Sequence, residues 1–134
     1  MGTICFSQTD SLKVIKNTND SLTEISNEWL EKIELDLSLK QRYKLYPTEN
    51  MYTFLLLDTK TGMIDKVQWN LDREKEFSVS INSSDLSYGY GSGTFELYPT
   101  QNMYQFILLD KVLGRMWHVQ WGMNEKERWI RRIY

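Results

Sequence analysis

Apolar and polar side chains alternate with a period of two along most of this chain, in eight short runs. Tyr43 and Leu45 mark one face of residues 42–46, while Val67 and Trp69 oppose Lys66 and Gln68 in residues 64–69. Phe77, Val79 and Ile81 alternate with Ser78 and Ser80. Residues 51–58 are apolar on both sides, with Met51, Leu55 and Leu57 on one and Tyr52, Phe54 and Leu56 on the other. Side chains of a strand point to opposite faces in turn, so these runs predict strands, and the doubly apolar one predicts a strand covered on both sides or nearly so. The pattern returns in residues 95–98, 103–110, 116–121 and 129–134. One segment has the other period. Leu22, Ile25, Trp29 and Ile33 recur at helical spacing behind Ser21 and Glu24, a capping-box pair, and predict an amphipathic helix over 22–37 with Trp29 packed on the sheet. Its end is open, because Ile33, Leu35 and Leu37 also alternate with Glu34 and Asp36 and equally fit the start of a strand.

The eight runs are two copies of four. Residues 45–69 and 97–121 agree at 15 of 25 positions at a constant offset of 52 residues. Each copy must bury its apolar face on the other copy or on a partner. The expected fold is mainly β: two tandem four-stranded antiparallel meanders, blade-like or sandwich-like, with an internal pseudo-twofold and one N-terminal helix. Residues 1–20 read as a lead-in or signal remnant, and 21–134 as one domain made of helix 22–37, repeat one 42–82, a glycine-containing linker 83–93 and repeat two 94–134. Pro47-Thr-Glu-Asn50 and Asp58-Thr-Lys-Thr-Gly62 carry turn chemistry, and the Tyr46–Pro47 and Tyr98–Pro99 bonds are open to either isomer. Among identical positions, Leu45, Met51, Phe54, Leu56, Leu57, Val67, Trp69 and their counterparts are expected in the core. Tyr46 with Tyr98, Thr48 with Thr100, Asn50 with Asn102 and Gln68 with Gln120 either satisfy turn backbone or form two equivalent binding spots.

Composition narrows the function classes. A net charge of −2 gives no global attraction to nucleic acid or anionic membrane, and no apolar run is long enough to span a bilayer. The ends differ in sign: residues 1–41 carry a net −3 and residues 115–134 a net +3. Cys5 is the only cysteine, so an intrachain disulfide and a cysteine-based zinc site are excluded. Residues 3–8 read equally as the end of a secretory signal, which places the protein in the periplasm or outside the cell, or as an ordinary N-terminus, which leaves it cytoplasmic.

Catalytic signatures are thin. His118 is the only histidine, so multi-histidine metal sites are excluded and a nucleophile–base arrangement rests on His118 alone. Asp58 with Thr59 offers oxygen ligands for calcium and Asp58 with Asp110 is the symmetric carboxylate pair, but both aspartates fit turn capping better. Gly89-Tyr-Gly-Ser-Gly93 lacks the lysine and following helix of a phosphate loop. No catalytic, metal or cofactor residue is assigned. The copies differ where the second gains aromatics: Asp65 becomes Trp117, Lys66 becomes His118 and Phe77 becomes Trp129, beside Arg131 and Arg132. Exposed Trp flanked by Arg is the composition of an interface hot spot.

The motif Tyr-Pro-Thr-x-Asn-Met-Tyr-x-Phe-x-Leu-Leu-Asp, followed by Gly and Val-Gln-Trp, resembles a family of small Bacteroidota proteins that carry it twice, and the likeness covers residues 42–134. It implies no activity. Leu57-Asp-Thr-Lys-Thr-Gly62 with Val67-Gln-Trp69 is more loosely similar to quinoprotein-type propeller blades, which implies flat sheets packed on two neighbours. Lys111-Val-Leu113 departs from that pattern. Two blades cannot close a ring, so either the two sheets cover each other or several chains assemble. The expectation is a non-enzymatic module that binds a protein or itself through Trp117, His118, Trp129, Arg131 and Arg132. The alternative is a small-ligand or carbohydrate-binding module of the cell envelope using Trp117, Tyr98, Tyr88 and Tyr90.

Overall fold

The computed structural model describes residues 26–35 and 42–134. Residues 26–35 are helical (α1). The signal-like stretch, Cys5, the capping pair and the two ends of the expected helix lie outside the described residues. Within α1, Trp29 is 64% exposed, and Leu30, Ile33 and Leu35 are exposed with it. The chain divides into two units, Met1–Leu37 and Ser38–Tyr134, so α1 and the strands belong to different units.

The second unit is two four-stranded antiparallel meanders. The first comprises β1 (Tyr43–Pro47), β2 (Thr53–Asp58), β3 (Ile64–Gln68) and β4 (Phe77–Asn82). The second comprises β5 (Phe95–Pro99), β6 (Gln105–Asp110), β7 (Met116–Gln120) and β8 (Trp129–Ile133). Every described peptide bond is trans, both Tyr–Pro bonds included. One feature of each copy escaped the periodicity: single 3-10 turns at Arg73–Lys75 and Glu125–Glu127 lead into β4 and β8. Asp72 accepts the Glu74 N–H at the first, and Asn124 and Glu127 form a capping box at the second.

Of the duplicated polar residues, the Thr and Asn pairs satisfy turn backbone. The Thr48 hydroxyl donates to the Thr53 carbonyl and accepts the Asn50 N–H, and the Asn50 side chain accepts the Tyr52 N–H. Thr100 and Asn102 repeat these bonds. Asn50 and Asn102 thus hold the chain in a tight turn up to β2 and β6, which begin two residues later than the apolar run suggested. Gly62 and Gly114, with φ of 82° and 73°, close the next turn as expected.

Cross-strand rows define the faces. In the first sheet Tyr46, Leu55, Lys66 and Val79 form one row, and Lys44, Leu57 and Ile64 another on the same face. In the second sheet the corresponding inward row is Leu97, Leu108, Trp117 and Arg132. One core joins them: Tyr46, Leu55, Leu57 and Ile64 from the first sheet meet Phe95, Leu97, Phe106, Leu108, Trp117, Val119 and Trp121 from the second. Strand β5 lies against β2 and β8 against β4. Shifted by one copy, Leu97, Phe106, Leu108, Val119 and Trp121 correspond to Leu45, Phe54, Leu56, Val67 and Trp69, which lie on the outer face of the first sheet. The twofold repetition of the sequence is therefore kept as two like sheets, but unlike faces meet. The inner face of the first sheet packs on the face of the second that is equivalent to the first sheet's outer one.

The expected core is corrected accordingly. Leu97 and Trp121 are 2% and 0% exposed, whereas Leu45, Met51 and Trp69 are 56%, 65% and 36% exposed. Identity between copies preserved the residues, but only the second copy has a sheet in front of them.

Candidate functional site

The seam between the copies is built from polar atoms at its rim. The Tyr46 hydroxyl accepts the Leu97 N–H at 3.2 Å, and Lys44 Nζ donates to Glu96 Oε1 at 3.3 Å. Lys66 is wholly buried, with Nζ 3.3 Å from the Gly122 carbonyl oxygen and over the rings of Trp121 and Phe77. Burial pushes its ammonium below the ordinary lysine value, the nearby Arg128 adds to this, and Glu127 opposes it. Below the lowered folded value both folded and unfolded chains carry this charge, so there the folded state bears the desolvation cost. The cost is relieved as pH climbs from the lowered folded value towards the ordinary 10.5. Lys66→Met should accordingly raise stability near pH 7 by about 1 kcal/mol, a gain that fades towards alkaline pH, as read from urea midpoints.

At the turn of the second copy, Asp110 Oδ1 accepts the Val112 and Leu113 N–H groups and Oδ2 accepts from Arg115 at 2.8 Å. Burial raises the Asp110 carboxyl, but the Leu113 N–H, the Arg115 guanidinium and the Val112 N–H together outweigh it and hold the group below the usual carboxylate range. Asp58 does the same work, with Arg42 bonded to its carboxylate and the Lys60 N–H on Oδ1. Both carboxylates cap their turns. No group of three or more potential metal-ligating side chains occurs among the described residues.

The residues singled out by sequence divide between two faces. Trp117 is corrected from exposed hot spot to core: it is 7% exposed, beside Phe95, with the guanidinium groups of Arg115 and Arg132 near its ring. The Arg115 guanidinium also lies over the ring of Tyr88, which, like Tyr90, is exposed in the linker. Strand alternation separates Arg131 from Arg132. Tyr98, Ile107, His118 and Arg131 form one row across the outer face of the second sheet, with Trp129 beside His118 at a ring distance of 4.8 Å. Tyr98 and Trp117 therefore stand on opposite faces and do not converge on one ligand. The Arg131 Nη2 lies 3.3 Å from His118 Nδ1, so the imidazole is flanked by an aromatic edge and a cation, neither of which can orient it as a carboxylate would orient a general base.

Sequence reasoning missed the outer face of the first sheet. Tyr43, Leu45 and Trp69 are exposed there, and Phe54, Leu56 and Val67 are half-buried. A shallow pocket of about 260 Å³ opens on it, lined by Tyr43, Leu56, Asp58, Asp65 and Ser80. Compared with family models, curated proteins and solved structures, the chain shows no match.

Proposed function

We propose that this protein is a non-enzymatic protein-binding repeat module whose working surfaces are the outer faces of its two sheets. The observation that carries this reading is the outer face of the first sheet: its side chains are the counterparts of the core of the second, yet they face no sheet. A contiguous apolar surface of this kind is characteristic of a protein contact. The outer face of the second sheet adds Tyr98, Trp129 and Arg131, residue types that concentrate binding energy. His118 serves here as a contact residue, and the two turn aspartates are structural.

The test places a photo-crosslinking amino acid at Leu45 or Ile107, one on each outer face, with Glu74 as an exposed control, in the cells that make the protein. Protein adducts are expected from the two faces and not from Glu74. Absence of any protein adduct from both faces would overturn the reading.

A further inference from the structure

We infer that the partner is a second copy of this chain, added head to tail: the outer face of the second sheet of one molecule packs on the outer face of the first sheet of the next. This rests on the protein-binding reading and specifies its partner.

The internal seam already shows what each outer face is built to meet. In that seam the first sheet presents Tyr46, Leu55, Leu57, Ile64 and Ile81 to the second. Their counterparts on the outer face of the second sheet are Tyr98, Ile107, Leu109, Met116 and Ile133, all apolar or aromatic. The second sheet answers with Leu97, Phe106, Leu108, Val119 and Trp121, whose counterparts Leu45, Phe54, Leu56, Val67 and Trp69 form the other outer face. Each free face thus keeps the composition of one half of a seam, and the two free faces are opposite halves. A self-complementary twofold contact would instead bring two like halves together.

The polar rim agrees. Lys44 and Glu96 occupy equivalent positions in the two copies and pair across the internal seam. In a head-to-tail contact the roles reverse, so Glu96 of one molecule meets Lys44 of the next and the signs alternate along the stack. Tyr98 likewise stands where Tyr46 stands, with its hydroxyl free to accept the Leu45 N–H while it donates to Glu96. The larger faces are complementary too, for His118 and Arg131 lie on one and Asp65 on the other. The shallow pocket at Asp65 is the place that Trp117 fills in the second copy, and the incoming face carries Trp129 and Met116 where the internal seam has Phe77 and Ile64. Such a contact joins unlike patches, so it closes into a ring or continues as a filament.

The experiment uses two variants at exposed positions whose counterparts are buried: Leu45→Glu on the first sheet and Met116→Glu on the second. The wild-type chain should scatter light as a multiple of 16.0 kDa, and each variant alone should be monomeric with unchanged circular dichroism. An equimolar mixture should give a heterodimer of twice the chain mass, because each variant retains the half that the other lacks. Glu96→Lys should weaken association about fivefold, and Lys44→Glu with Glu96→Lys should restore it. Dimers from either variant alone would show like faces pairing and overturn the inference. A wild-type monomer at all concentrations would overturn it too, while crosslinks from Leu45 or Ile107 to a different protein would leave the protein-binding reading standing.

Discussion

Trp121→Ala should lower folding stability by about 3–5 kcal/mol, whereas Trp69→Ala, the same change one copy earlier, should lower that of the monomer by about 1–2 kcal/mol. Both indoles donate a hydrogen bond to the equivalent methionine carbonyl, Met103 and Met51, at 2.8 Å, and both lean on the equivalent tyrosine ring. Local chemistry is therefore matched. What differs is that Trp121 lies fully buried under Lys66 and the first sheet, while Trp69 is 36% exposed. Urea midpoints at unchanged slope would measure the pair. Equal costs in dilute solution would contradict unlike-face stacking. If chains assemble head to tail, the deficit of Trp69→Ala should grow with protein concentration and that of Trp121→Ala should not, since only the former residue is buried by association.

Asp110→Asn should cost about 3–5 kcal/mol at pH 7, the expected penalty for breaking a buried ion pair and leaving one charge behind. The Asp110 side chain is 0% exposed and that of Arg115 15%, and Arg115 also donates to the Leu86 carbonyl, tying the linker to the turn. Asp58→Asn should cost less, about 1–2 kcal/mol, because its partner Arg42 is 37% exposed and water can replace the lost bonds. The two changes also differ in pH dependence from the wild type. The folded Asp110 carboxyl titrates below the ordinary value of 3.8, so in acid the unfolded chain binds the extra proton first. Its stabilisation is complete above that ordinary value and disappears as pH falls through the lowered folded one. Midpoints of wild type and Asp110→Asn should therefore converge in strong acid. A gap that stays constant from pH 7 into that range would mean the carboxylate is not what holds the turn.

The alternation of side chains made the strands legible, because a strand's period of two is a local property and each copy confirms the other. All four strands and the 3-10 turn of the first copy recur 52 residues later. The turns were legible for the same reason: Asp, Asn, Thr and Gly act on backbone groups two to four residues away, as the Asp110 and Thr48 bonds do. The 3-10 turns were not, since three residues are too few to show a period.

Burial, in contrast, belongs to the neighbour rather than to the residue. Leu45 and Leu97 are the same amino acid in the same local motif, and one is on the surface while the other is core. Trp117 followed the same rule, since its exposure depended on which face of the second sheet met the first, and Lys66 sits buried for that reason although lysine seldom does. Two like meanders and their turns can thus be read from local spacing and turn residues alone. Which faces meet is a matter of packing between sheets, because a sheet apolar on both sides is compatible with either arrangement until a second sheet takes one of them.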